Sequence, residues 1–402
     1  MRPNAALPTQ TSLLLPLLQC LDDAGGAARP TDVYDAVAQR ANVSAEARAH
    51  KNAQGVNVFE RDVRWTRQRA VAKGFINTAE RNLWELTDHA KQNLRNIVRG
   101  SIVTIFETNE GFAVWANVED LAMLVERESV ALIMSSPPYP LVRQKEYGNL
   151  DVTRWTDWML RCFEQWSPLL THQGSVMLNL GPVFEPGVPA QSLYVERLLI
   201  RLHDQLGYSL LQRLDWFSPS KLPAPAEYVC VRRIRVKPAV EPILWLSQRP
   251  HDAFADNTAV LQPYSEAQKL AMVQRAGMTE HRPSGHTISA SAYADNGGAI
   301  PPSLISASNT SSNSAYQRAQ RDSGLAAHPA TFPDAVPEFC IKLASRVNDV
   351  VMDPFAGSCT VAAVAERLRR RYIVADRSLA YLQSGALRMQ TAGFNAGVLM
   401  LP

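Results

Sequence analysis

The sequence predicts an α/β fold on an open, largely parallel sheet, with a small helical module in front of it. Two apolar β-rich runs, over 130–134 and 347–352, each end in a compact motif. The first leads to Ser136-Pro137-Pro138-Tyr139. The second, more than two hundred residues later, leads to Asp353-Pro354-Phe355-Ala356-Gly357-Ser358-Cys359-Thr360. Both read as loops at the carboxyl ends of buried parallel strands, where ligands sit in open α/β sheets. Around them, strand-like runs alternate with helix-like stretches, the pattern of βα units.

The front module comes first in the chain. A helix is expected over 12–23, then an Ala/Gly turn, then a second helix from Pro30-Thr31 with Val33, Val37 and Ala41 at helical spacing. A third runs over 59–73 and stops at Gly74. Short strands over 75–77 and 83–86 flank a polar turn. Three helices and a hairpin make a winged helix. The third helix carries Arg61, Arg64, Arg67, Arg69 and Lys73, with Val63, Trp65, Ala70 and Val71 for packing. Arginines on a recognition helix suit phosphate and base contacts; a solvated basic face is the alternative.

Residues 110–248 read as βα units: strand 112–116, helix 118–127, the strand ending at Met134, helix 155–166, strand 175–180 ending Asn179-Leu180-Gly181, helix 193–206, and strands 208–216 and 242–246. From 250 to 330, Ser, Asn, Gly and Pro are dense. Such composition marks a flexible linker, or a reading region that orders on binding. The α/β pattern then resumes with helix 337–346, strand 349–352, helix 360–370 and strand 371–375 ending at Asp376. The expected organisation is a winged helix (1–100), a first catalytic half (101–248), a polar region (249–330) and a second half (331–402).

The whole chain bounds the function loosely. Its 402 residues suit two or three domains. A net charge of +3 permits a polyanionic partner without demanding one. The five cysteines are scattered, with no CxxC pair, so neither a zinc site nor a disulfide framework is signalled and a reducing cytoplasm fits. The apolar run before Cys20 is not a lipoprotein leader: Gln19 is not small, and Pro16 interrupts the run. No stretch approaches the roughly 18–20 apolar residues that span a bilayer.

The two motifs ask for different ligands. In the second, Gly357 allows close backbone approach, the following helix offers free N–H groups, and Asp376 ends the next strand where an acidic residue binds ribose hydroxyls. A dinucleotide site would need GxGxxG, and a phosphate loop a GK[ST] element; neither is present. A nucleoside cofactor without pyrophosphate, such as S-adenosylmethionine, fits better. In the first motif, Pro137-Pro138 stiffens a turn and removes two donors, leaving Ser136 Oγ and nearby carbonyls as acceptors for an exocyclic amino group. Tyr139 offers a flat face to an extruded base. No Pro-Cys dipeptide exists to serve as a cytosine-C5 nucleophile.

In combination, these motifs resemble those of the beta class of DNA amino-methyltransferases, over residues 110–390. There an SPPY-type motif precedes DPFxGSG, giving a Rossmann-like methyltransferase fold in circularly permuted motif order. The segments 145–149, Arg282-Pro283-Ser284-Gly285-His286, 297–301, Asn309-Thr310, Ser312-Asn313 and His328-Pro329-Ala330 resemble the cytosine-N4 branch. The resemblance implies S-adenosylmethionine as methyl donor, no metal, and double-stranded DNA as substrate. It implies cofactor contacts from Asp353, Phe355, Ala356, Gly357, Ser358, Thr360, Asp376 and Asn117. It implies catalysis at Ser136, Pro137, Pro138 and Tyr139. It makes 249–330 the target-recognition region, with Arg282, Ser284, His286, Asn309 and Asn313 joining Arg61, Arg64 and Arg67 as DNA contacts. A homodimer and a cognate restriction endonuclease are further possibilities. Departures are Cys359 for Gly or Asn, Ser135 for Thr, and Thr331 for Arg. Cytosine N4 is favoured over adenine N6 because Ser136 stands where adenine enzymes more often carry Asp or Asn. Asn179 is a candidate support for Ser136. The front module is similar to the N-terminal domain of Mrr-type restriction proteins, through Arg64-Trp65, Lys73-Gly74-Phe75-Ile76 and the 83–87 strand. A winged-helix regulator with an inactive methyltransferase domain, and a methyltransferase acting on RNA or protein glutamine, are the other readings.

Overall fold

The computed structural model describes residues 13–41, 43–52, 54–72, 74–77, 82–88, 90, 100–140, 152–308, 314–323 and 332–398. Lys73, the segments 145–149 and 328–330, Asn309, Thr310, Ser312, Asn313 and Thr331 lie outside them.

The front module has helices α1 (Leu14–Asp23), α2 (Pro30–Arg40), α3 (Ala45–Ala49) and α4 (Val58–Ala72). Strands β1 (Ala27–Ala28), β2 (Ile76–Asn77) and β3 (Trp84–Leu86) pair in the order β1-β3-β2. Pro30 occupies the first turn of α2, where its missing N–H costs nothing. Leu17, Leu21, Val33, Val37, Phe59, Val63 and Trp84 close a separate core. Trp65 was expected in that core, but it is 56% exposed. The buried stripe of α4 is Phe59, Val63, Thr66 and Ala70. Trp65 is two residues from Val63, about 200° round the helix, and so faces outward with Arg61, Arg64 and Arg69.

The main sheet has ten strands: β4 (Val103–Glu107), β5 (Gly111–Trp115), β6 (Val130–Ser135), β7 (Leu170–Asn179), β8 (Ser209–Phe217), β9 (Val240–Ser247), β12 (Leu304–Ser306), β13 (Val350–Asp353), β14 (Arg371–Asp376) and β15 (Gly397–Val398). Their spatial order is β12-β8-β9-β7-β6-β13-β14-β5-β4-β15. The run from β7 through β6, β13 and β14 to β5 is parallel, while β9 and β4 run against their neighbours. Strands β13 and β14, late in the chain, thus sit in the middle of the sheet. Val351, Met352, Val374 and Ala375 are buried there, as a strand covered on both faces requires.

Helices α5 (Val152–Trp166) and α6 (Tyr194–Leu206) cover one face. Helices α9 (Ala335–Ala344), α10 (Thr360–Arg367) and α11 (Leu379–Thr391) cover the other, and α8 (Ser314–Ser323) packs on α11. The helix expected over 118–127 is only a 3-10 turn, Val118–Met123. Glu128 and Ser129 donate their amides to the carbonyls of Pro168 and Leu169, so the chain has already left for β6.

The polar region is more ordered than its composition suggests. Helix α7 (Glu266–Gln274) opens with a capping box between Ser265 and Gln268. Strands β10 (Glu280–His281) and β11 (Thr287–Ile288) form a hairpin, and β12 adds to the edge of the main sheet beside β8.

Candidate active site

The two motifs meet because β6 and β13 are neighbours. Met352 is in register with Ile133, and both strands point their carboxyl ends the same way. The chain connections on either side of this pair lead to opposite halves of the sheet, which leaves a crevice at the strand ends. A direct bond joins the motifs: Ser135 Oγ donates to Asp353 Oδ1 at 2.5 Å. The serine noted in sequence only as a departure is therefore the link between them.

In the first motif, Ser136 Oγ lies 3.3 Å from Asn179 Oδ1 at the end of β7 and 3.0 Å from the Tyr139 hydroxyl. Asn179 Nδ2 donates to the Pro242 carbonyl at 3.5 Å, which turns Oδ1 toward the serine. Asn179 is thus a support for Ser136. With the Tyr139 proton committed to Glu241, the Ser136 proton is shared between the Tyr139 oxygen and Asn179 Oδ1, and the serine lone pairs remain for an incoming N–H. The Tyr139 hydroxyl donates to Glu241 Oε2 at 3.1 Å, and Lys221 pairs with the other carboxylate oxygen. Burial, then the Glu241 charge, pushes the Tyr139 phenol well above its ordinary pKa, so it stays a donor.

Two contacts fix this tip. The Pro138 carbonyl accepts from Trp155 Nε1 at 2.6 Å, which holds the turn and leaves the carbonyl one lone pair. The Tyr139 ring lies close to Gly181, where a Cβ would come within 2.4 Å of Cε2. Glu241 and Lys221 escaped the sequence reading. The only signal was a lone acidic residue opening an apolar strand, Val240-Glu241-Pro242.

The second motif is a tight turn into α10. Cys359 has φ +57° and Gly357 φ +50°, left-handed conformations that glycine adopts freely and cysteine at a cost of about 1–3 kcal/mol. Asp353, Ala356, Gly357, Ser358 and Thr360 are buried; Phe355 is half-buried against Trp158 and Trp166 of α5. The Gly357 amide donates to Asp376 Oδ2 at 2.9 Å, and the Ser378 amide to Oδ1 at 2.8 Å. Asn117 begins the 3-10 turn beyond β5, two residues past Trp115, the register partner of Asp376. All the sequence-predicted cofactor residues therefore share one rim.

The electrostatics select the ligand. Asp353 is pushed up to about 7, first by burial and also by the neighbouring Asp376 charge; bonds from Ser135 and the Phe355 amide oppose the shift. Asp376 is raised as well, mainly by burial. Asp376 already occupies the Gly357 amide, so that amide is not free to hold a phosphate, and a cation beside Asp353 would favour its charged form. A sulfonium nucleoside fits this rim. Arg388 of α11, missed in sequence, holds the turn from below: it donates to the Ser358 carbonyl at 2.7 Å and Ser358 Oγ at 3.1 Å. Its guanidinium stacks on Tyr316 at 4.1 Å.

A pH dependence follows. A cation bound beside Asp353 lowers its pKa, so binding expels a proton below about pH 7. S-adenosylmethionine affinity should rise from about pH 5.5 to about 7 and then level off, and S-adenosylhomocysteine, which lacks the sulfonium charge, should show a weaker dependence. The free protein behaves oppositely. The folded state holds a proton that the unfolded chain has lost, so its stability falls between the ordinary carboxylate range and about 7. Calorimetric titration of wild type and Asp353→Asn checks both; an identical pH profile in the variant would reject the assignment.

The candidate DNA contacts are spread apart. Arg61 and Arg64 are exposed on α4. Arg64 reaches the Tyr34 hydroxyl at 3.4 Å, whereas Arg67 is half-buried, its Nε without a partner among the described residues. Arg282, Ser284 and His286 are exposed at the tip of the β10–β11 hairpin, closed by the Arg282 amide on the His286 carbonyl at 2.8 Å. Asn309 and Asn313 lie outside the described residues. Among the described residues no His/Cys/Asp/Glu cluster could hold a metal, and no helix is long and apolar enough to cross a membrane.

A parallel sheet with a cationic-nucleoside site beside an amino-group acceptor cluster defines an amino-directed methyltransferase. Residues 130–386 match the DNA methylase family and residues 11–96 the Mrr N-terminal domain. The chain is 41% identical over 263 residues to the type II methyltransferase M.PvuII of Proteus hauseri, covering 65% of this chain and 78% of that one. It is 23% identical over 265 residues to M.ScaI of Streptomyces caespitosus, covering 66% and 76%. A solved PvuII DNA methyltransferase, described as cytosine-N4-specific, superposes with a TM-score of 0.58 at 34% identity, covering 72% of this chain and 90% of that one. The chain belongs to the N6/N4 DNA methylase family and is an S-adenosylmethionine-dependent DNA methyltransferase.

Proposed function

We propose that this enzyme methylates N4 of a cytosine flipped out of duplex DNA at a specific site. The observation that carries this reading is the acceptor cluster of Ser136, Asn179 and Tyr139, joined to the cofactor turn through Ser135 and Asp353. S-adenosylmethionine, when bound, supplies an electrophilic methyl group. Ser136 accepts an amino hydrogen and turns the nitrogen lone pair out of conjugation. Asn179 and Tyr139 fix Ser136, and the Tyr139–Glu241 bond provides an exit toward a carboxylate for the released proton. Orientation of the two reactants side by side at one rim supplies most of the acceleration.

The serine form of the motif and the likeness to an enzyme described as cytosine-N4-specific support N4. The exposed hairpin at 280–288 supports residues 249–330 as the target-recognition region. The front module is read as a second DNA contact, the enzyme as a homodimer with a cognate endonuclease, and its compartment as the cytoplasm. All five cysteines being free thiols supports the last point. Arg61→Gln plus Arg64→Gln should lower the salt slope of DNA binding by about 1–2 and leave S-adenosylhomocysteine affinity unchanged. An unchanged slope would remove α4 from the DNA.

The primary test is mass spectrometry of nucleosides from DNA treated with enzyme and methyl-labelled cofactor. Labelled N4-methylcytosine is expected. N6-methyladenine would overturn the base assignment, and no labelled base despite cofactor binding would favour a regulator or a non-DNA acceptor.

A further inference from the structure

The β8–β9 connection carries a charge concentration outside both motifs. Residues 221–237 contain Lys221, Arg232, Arg233, Arg235 and Lys237 against the single carboxylate of Glu227. That excess surpasses the net +3 of the whole chain. Lys221 is committed to Glu241. The other four are exposed, and none has a carboxylate partner among the described residues.

The segment is folded, not loose. Tyr228 is buried and packs on Phe184 with ring centroids 6.0 Å apart. The amides of Ile234 and Arg235 return to the Tyr228 carbonyl, and Arg235 Nε donates to the Pro189 carbonyl at 3.0 Å. Lys237 Nζ donates to the Pro219 carbonyl at 3.0 Å. The cations are thus held on a formed arm, which lowers the ordering cost of binding.

Its root stands at the catalytic rim. The arm leaves at Phe217 and returns at Val240, which are register partners. Glu241, the next residue, touches Tyr139, which touches Ser136. On the other side, Ser220 bonds Ser308 at 2.6 Å, just past β12 in the polar region.

We propose that residues 221–237 form a phosphate-clamping arm, in which Arg232, Arg233, Arg235 and Lys237 grip the DNA backbone beside the flipped nucleotide. This rests on the DNA-methylating reading above. Unpaired, preorganised cations at the mouth of a base pocket neutralise phosphates and position the strand without reading sequence. Exposed Leu222, Val231 and Val236 on the same arm would also suit an anionic membrane. Its root beside Ser136 favours DNA.

The test compares wild type with Arg232→Gln/Arg233→Gln/Arg235→Gln, and separately with Lys237→Gln. The triple variant should lower the slope of log K against log salt by about 2–3, and the single one by about 1. In the triple variant, KM for DNA should rise at least tenfold at unchanged kcat. S-adenosylhomocysteine affinity should match wild type, showing an intact fold. If wild type methylates DNA and the variants keep its slope and KM, the arm is wrong and the function stands. A wild type that methylates no DNA overturns the function and the arm together. Lost binding to phosphatidylserine vesicles with an unchanged DNA slope would reassign the arm to a membrane.

Discussion

Replacing Ser136 with alanine is expected to cut kcat by about 10²–10³, the usual effect of removing one preorganised hydrogen-bonding group from a developing charge. Cofactor affinity should be unchanged, because the bond between the two motifs belongs to Ser135, not Ser136. The two neighbouring serines therefore separate the two functions. Ser135→Ala frees Asp353 Oδ1 of one donor that lowers its pKa, so the carboxyl should rise further and weaken cofactor binding at neutral pH. Single-turnover methyl transfer and calorimetric S-adenosylmethionine binding distinguish them. Wild-type turnover in Ser136→Ala would reject the acceptor role.

Gly385→Ala should weaken cofactor binding at least tenfold, although Gly385 sits on α11, outside both motifs. An added Cβ would lie 2.3 Å from Cys359 Sγ and 2.9 Å from its Cβ. Cys359 is buried and held at the left-handed start of α10, so the turn must shift. Overpacking of this kind costs about 1–3 kcal/mol. Cys359→Gly removes the opposing thiol and suits the positive φ, so the double variant should recover most of the affinity. A double-mutant cycle in cofactor affinity and melting temperature measures the coupling. Additive losses would show that the two residues do not share the space.

Much of this was legible in the chain. The two motifs could be placed at strand ends because an apolar stretch, 130–134 and 350–352, runs straight into each, as in central parallel strands. Asp376 could be paired with Gly357 because a strand–turn–helix–strand unit fixes the distance between them. What was hidden is long-range. Nothing local to Arg388 says that it supports Ser358, because the helix on which it rides reads like any amphipathic helix. Glu241 belongs to an antiparallel strand, where the run of βα units breaks, so its approach to Tyr139 depends on strand order. Trp65 went wrong for a different reason: a large aromatic was assigned to the core by type, when its position on the helix put it outside. The polar region was underestimated because short capped elements such as α7 need little apolar surface to form; α7 buries none of its residues.

The placement of β13 between β6 and β14 also has a consequence during synthesis. The strand that completes the centre of the sheet emerges more than two hundred residues after its neighbour β6. At ribosomal speeds of about 5–20 residues per second, β6 waits on the order of 10–40 s with one edge unpaired. That edge is Val130–Ser135, a short, almost wholly buried β-rich segment of the kind that pairs with other chains when exposed. Nascent chains of this enzyme should therefore depend on chaperone cover until β13 is made. A truncation ending before residue 350 should be lost to aggregation, not accumulate as a half-sized domain.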